Sequence, residues 1–185
     1  MPVDRRPPDL EWLFRVLLAH DVAFVVTGST AALLLGVEPT PGDLDITPAL
    51  DAPNLARLAA ALEAIEARPD PQGEFGAWQV DPAGERHWVQ RAPRPGERQA
   101  RRTWRPDPAV PESFDELLQT SLGALDVVPG ISGRYDELVR RAEQVEAFGQ
   151  VVLAASIVDQ LATLTVPRHE KDRSRVAALR ERQRD

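Results

Sequence analysis

The sequence predicts an α/β (α+β) protein, a β-sheet flanked by helices with a small helical element at the C-terminal end. Three observations carry this. Val22-Ala23-Phe24-Val25-Val26 is a short apolar run rich in β-branched residues, as in a strand buried on both faces. Asp43-Leu44-Asp45-Ile46-Thr47 alternates polar with apolar, as a half-buried strand does. Around these, Leu10, Leu13, Phe14, Leu17 and Leu18, and later Leu55, Leu58, Ala59, Leu62 and Ile65, recur at helical spacing. With 185 residues, 43% hydrophobic and 28% charged, the chain suits one globular unit spanning 1–185, its 17 prolines confined to loops.

The elements follow in order. Asp9 can cap a first helix that His20-Asp21 closes. The strand over 22–26 ends abruptly at Thr27-Gly28-Ser29, and from Thr30 the run Ala31 to Leu35 is a short helix with Gly36 just past its end. Loop chemistry from Val37 to Gly42 leads into the Asp43–Thr47 strand. Asp51 and Pro53 are the cap and first turn of a helix to about Ala67. Residues 68–111, rich in Pro, Gly and Arg, are expected as a loose insertion with short edge strands at Ala77–Val80 and His87–Gln90. Phe114, Leu117 and Leu118 suggest a turn of helix, and Leu122–Val128 a strand that Pro129-Gly130 ends. Tyr135–Val145 reads as a helix and Val151–Ala154 as a final strand. Residues 156–185 form the C-terminal helices: one to Leu164 whose capping box is Ser156 with Asp159, and a charged one from His169 to Arg182 with Val176 and Leu179 inward.

Composition excludes several chemistries. Without cysteine there is no disulfide, thiol nucleophile or zinc-thiolate site, and His20, His87 and His169 are too scattered for a metal cluster. A net charge of −7 argues against tight nonspecific duplex binding. The arginines between Arg91 and Arg105 are the one concentrated basic patch. Met1–Phe14 lacks the charged-then-apolar order of a signal peptide, and Val22–Val37 is interrupted and short of the ~20 residues that span a bilayer. The expectation is a cytoplasmic protein with no membrane partner.

The residues with chemical potential lie at the strand ends. A glycine and a small hydroxyl residue after a buried strand leave backbone N–H groups free for phosphate oxygens, although a structural turn has the same composition. Two carboxylates two apart on a strand share a face at roughly 6–7 Å, close enough to share a hard cation, although a solvated strand face also fits. Asp126, between Leu125 and Val127, is a lone carboxylate in an apolar strand, which is costly without a cation or hydrogen bonds.

Taken together, Thr27-Gly28-Ser29, Asp43-Leu44-Asp45-Ile46 and Leu125-Asp126-Val127 resemble the DNA polymerase beta-like nucleotidyltransferase superfamily. The closer likeness is to its minimal bacterial toxin-type branch, of toxin–antitoxin and phage-defence (abortive-infection) systems. It runs through Val25-Val26-Thr27-Gly28-Ser29-Thr30-Ala31 and Gly42-Asp43-Leu44-Asp45-Ile46, with Ala155-Ser156-Ile157-Val158-Asp159 and Lys171-Asp172 like that branch's closing elements. The resemblance covers roughly Val22–Leu179 and is specific at the three acids and the Gly-Ser turn. Two places depart from the pattern: Pro39 and Pro41 stand where many relatives have an arginine and a threonine, and Arg175 stands where an acid often follows Lys-Asp.

The resemblance implies a nucleotidyltransferase fold with a mixed sheet. It implies Mg2+ (or Mn2+) on Asp43, Asp45 and Asp126, with Asp126 completing the metal shell or acting as base. It implies a nucleoside triphosphate held by Gly28 and Ser29, with Thr30 and Lys171 as further contacts, although a lysine on a charged helix is often simply solvated. The acceptor would be an RNA, protein or small-molecule hydroxyl, and an antitoxin would be a further partner. Trp78, Trp88 and Trp104 are candidates for base stacking or for packing, and Arg101, Arg102 and Arg105 for an RNA acceptor or for surface charge. Two other classes stand beside the enzyme: a noncatalytic binding module on the same fold, and a dinucleotide-binding domain, which lacks its Gly-x-Gly-x-x-Gly here.

Overall fold

The computed structural model describes residues 6–37, 40–69, 75–80, 86–130, 133–164 and 170–184. The apolar stripes and strand runs assemble into a seven-stranded mixed sheet with helices against it, and a separate two-stranded hairpin. Strands β1 (Phe24–Thr27) and β2 (Leu44–Pro48) pair antiparallel at the centre, with the short helix α2 (Gly28–Leu34) between them in the chain. On one side β2 pairs in parallel with β7 (Gly123–Val127), which continues antiparallel to β6 (Glu116–Thr120) and the two-residue β3 (Arg68–Pro69). On the other, β1 pairs in parallel with β9 (Gln150–Ala154), and β9 antiparallel with β8 (Glu143–Ala147).

Cross-strand partners share a face of a sheet. Phe24, Val26, Leu44, Ile46, Leu125 and Val127 lie on one face and enter the main core. Leu13, Phe14 and Leu17 of α1 (Leu10–Ala19) join them there, with Leu55, Leu58 and Leu62 of α3 (Ala52–Ala64). Both helices start as expected, Asp9 and Asp51 accepting from the backbone N–H groups of Trp12 and Asn54. Asn54 is fully buried and uses its whole amide: Oδ1 accepts from Ala23 N at 2.7 Å, and Nδ2 donates to the carbonyls of Ala23 at 3.0 Å and Ala49 at 2.8 Å. It thereby ties α3 to the entry of β1 and the exit of β2.

A second, small apolar cluster of Ala32, Val37 and Leu179 joins α2 to α6 (Ile157–Thr163) and α7 (Glu170–Arg182). Val176 and Leu179 face inward as expected, and the expected helix start at His169 lies outside the described residues.

Three sequence expectations are corrected. The prolines are not confined to loops, since Pro48 lies in β2, Pro53 in the first turn of α3 and Pro69 in β3. Leu117 and Leu118 are in β6 and not in a helical turn, the helical turn being a 3-10 segment confined to Pro111–Phe114. Tyr135–Val145 is not one helix: α5 covers only Tyr135–Leu138, and Glu143 onward is β8. The 68–111 insertion holds more regular structure than expected. It contains β3 at the sheet edge, the hairpin β4 (Phe75–Val80) with β5 (Arg86–Arg91), and α4 (Glu97–Arg102) within the arginine patch. Among the described residues no helix is long and apolar enough to cross a membrane.

Candidate functional site

The sheet face opposite Phe24, Val26, Leu44 and Ile46 carries a polar row. Thr27 is the register partner of Asp45, and Asp45 that of Asp126, so three neighbouring strands set these residues side by side on one face. Asp126 is 4% exposed and Thr27 fully buried, whereas Asp45 is half-buried. The sequence alone placed the acids 43 and 45 near each other; the parallel pairing of β2 with β7 brings Asp126 to them. Asp43 is in a bend one residue ahead of β2, and its carbonyl accepts from Thr30 Oγ1 at 2.9 Å. Thr30 thus helps fix the approach to the acidic strand.

Gly28 makes the close approach possible. It has φ +62°, and a Cβ built on it would stand 1.9 Å from Asp45 Oδ2. The Asp45 carboxylate therefore lies directly against the backbone of the turn. Ser29 is half-buried in the first turn of α2. These carboxylates are hard oxygen donors of the kind Mg2+ takes. As the side chains stand, no group of three or more His, Asp or Glu among the described residues converges closely enough to hold a metal together.

The closing elements reach the same turn from the other side. The Ala155 N–H donates to Val26 O at 2.8 Å, which brings the start of α6 beside the end of β1. Ser156 caps α6 as expected, accepting from Asp159 N, and its Oγ also donates to Asp159 Oδ2 at 2.7 Å. Asp159 in turn takes a two-pronged ion pair from Arg141, with the shortest bond 2.6 Å. That bond holds the Arg141 guanidinium above its already high ordinary value. Arg141 was missed in the sequence, where it falls within the expected long helix; no local signal marks it, because its partner is 18 positions away. Arg175 pairs with Asp172 at 3.1 Å.

Thr27, Gly28, Ala155, Asp159, Gln160, Thr163, Leu164 and Arg175 enclose a cleft with room of about 20 Å³. Lys171 is in the first turn of α7 by its backbone, and its side chain lies outside the described residues, as does Pro39. Of the tryptophans, Trp104 packs on the main core and donates Nε1–H to Ser113 O at 3.2 Å, a packing role. Trp78 and Trp88 are register partners in the hairpin. Arg102 and Arg105 are exposed, and the side chain of Arg101 lies outside the described residues. No protein-family model matches this chain, and no curated protein matches its sequence.

Proposed function

We propose that this chain is a metal-dependent nucleotidyltransferase of the toxin type, acting in the cytoplasm. It would move a nucleoside monophosphate from a nucleoside triphosphate to a hydroxyl of an RNA, a protein or a small molecule. The observation that carries the reading is the registration of Asp45 with Asp126 on adjacent parallel strands, with Asp45 seated against the Gly28 turn. Sequence spacing is silent on that pairing.

In this reading Asp43, Asp45 and Asp126 would hold Mg2+ or Mn2+, whose charge would offset that of the triphosphate. Gly28 and Ser29 hold the outer phosphates through backbone N–H and hydroxyl donors, with Thr30 supporting Asp43 from below and Lys171 as a further phosphate contact. The acceptor oxygen attacks the α-phosphorus in line and pyrophosphate leaves. Asp126, shielded from solvent and adjacent to Asp45, would complete the metal shell or act as base toward the attacking hydroxyl.

The test is a titration with each of the four nucleoside triphosphates in the presence of magnesium, comparing the native protein with a folded Asp43→Ala, Asp45→Ala double variant. Metal-dependent binding by the native chain alone supports the proposal. Failure of both proteins sinks it and favours the noncatalytic binding module, a reading in keeping with the narrow cleft beside Gly28 and with the engagement of Asp159 and Asp172 by arginines.

A further inference from the structure

We propose that the cleft between the end of β1 and the C-terminal helices is a socket for one neutral O–H group. Three buried polar atoms have no hydrogen-bond partner among the described residues: Thr27 Oγ1, Gln160 Oε1 and Arg175 Nε. All three residues line this one cleft. Thr27 is fully buried and Gln160 is 4% exposed. Buried polar groups are rarely left unmade, so three in one small space point to a shared partner.

The chemistry of the partner follows from the three atoms. Gln160 donates its Nε2–H to Ala155 O at 2.8 Å, which fixes the amide and leaves Oε1 only to accept. Arg175 Nε can only donate. Thr27 stands at the N-cap position of α2, yet its hydroxyl makes no capping bond, so it is available to donate or accept. An occupant that accepts from Arg175 and donates to Gln160 must carry both a lone pair and a proton. A hydroxyl does, whereas a metal ion and an unprotonated phosphate oxygen do not.

Charge and size agree. The Asp159 carboxylate is engaged by Arg141 and Ser156, and the Arg175 guanidinium by Asp172, so the acids and bases around the cleft offset each other. An added anion would meet Asp159 and the Gln160 oxygen; an added cation would meet Arg175. Room of about 20 Å³ accommodates a single oxygen, since one water needs roughly 10–15 Å³ of such space, and it rejects a base or a phosphate. The O–H belongs to an ordered water or to a hydroxyl that a ligand at the acidic row extends past Gly28, the residue common to the cleft and the Asp45 contact. The second source rests on the nucleotide reading above; the socket itself does not.

A crystal structure of the full chain, without nucleotide and with Mg-ATP, tests this. One oxygen peak within about 3.2 Å of Thr27 Oγ1, Gln160 Oε1 and Arg175 Nε is expected. An empty cleft, re-partnered side chains, or a metal or oxyanion peak overturns the proposal. In thermal unfolding, Thr27→Val and Gln160→Met should each lower the midpoint, and the double variant should lower it by less than the sum, because one bridging oxygen serves both; additive shifts contradict a shared partner. ATP, 2′-deoxy-ATP and 3′-deoxy-ATP then separate the sources. A ribose oxygen replacing the peak, with about tenfold weaker binding when that hydroxyl is removed, assigns the socket to the ligand. Equal affinities with the peak unchanged assign it to water. If no nucleotide binds, the nucleotidyltransferase reading fails while the oxygen peak still decides the socket.

Discussion

Gly28 is where a single missing atom has the largest consequence. Its φ of +62° is a conformation that other residues adopt with strain, and a Cβ there would overlap Asp45 Oδ2 at 1.9 Å. Gly28→Ala is therefore expected to cost about 1–3 kcal/mol and to push the Asp45 carboxylate off the turn. Denaturant unfolding checks the first part and a crystal structure the second; an alanine variant as stable as the parent, with Asp45 unmoved, would refute the close approach. The glycine, Asp45 on β2 with Asp43 just ahead of it, and Asp126 were all visible in the sequence, because a turn residue and carboxylates among apolar neighbours are local anomalies. Arg141 was not, since an arginine among ordinary surface residues carries no sign that it will meet Asp159. Nor could the sequence reveal that the Thr27 hydroxyl would ignore its capping position, since that depends on what α6 and α7 bring against it.

Elements were legible where periodicity and caps agreed, as in α1 and α3, and illegible where a turn used unusual residues. The β8–β9 hairpin turns at Phe148-Gly149, with φ +53° and +70°, the two left-handed positions of a type I′ turn. Asn-Gly would have announced that turn; Phe-Gly does not, and without it Tyr135–Val145 reads as one helix. Phe148 adopts this backbone at a cost and is 49% exposed, while its ring lies 6.4 Å from that of Phe14. Phe148→Asn is expected to stabilise the protein by a few tenths to about 1 kcal/mol, a gain that disappears if the contact with Phe14 outweighs the strain; the denaturation midpoint decides. The arginine-rich segment offers a prediction in pH. The Glu97 carboxyl is held down to about 2, from an ordinary 4.5, first by hydrogen bonds from Arg91 and then by the Arg94 N–H. Because the folded value lies below the unfolded one, the support this pair gives α4 is complete above about 4.5 and is lost as pH falls toward 2. A carboxyl titration of Glu97 by NMR should show the depressed midpoint; one near 4.5 would mean that the pair does not persist in solution. Glu97→Gln should remove that acid sensitivity from the β4–β5 and α4 amides while leaving the central strands unaffected.

At the scale of the whole molecule, the two apolar clusters differ greatly in extent. Strands β1, β2, β7 and β9 share the large core with α1 and α3, whereas α7 is attached through Leu179 to Ala32 and Val37. A bond from Arg182 Nε to Leu35 O at 3.3 Å adds to that attachment. Local opening free energies follow the buried apolar contacts of each unit. The C-terminal helix should thus open before the sheet does. Leu179 is fully buried, and Leu179→Ala is expected to cost about 2–5 kcal/mol if its loss is felt globally. Because the small cluster is peripheral, the effect should instead concentrate in α7: its amides should exchange much faster, while those of β1, β2 and β7 keep most of their protection. Arg175 lies one turn before Leu179 on the same helix, so the same variant should loosen the wall of the cleft beside Gly28 and leave the Asp45–Asp126 register intact. Hydrogen exchange resolved by residue distinguishes the cases. Uniform loss of protection across sheet and helix would mean that the two clusters act as one cooperative unit, and no change in α7 would mean that Leu179 is not its anchor.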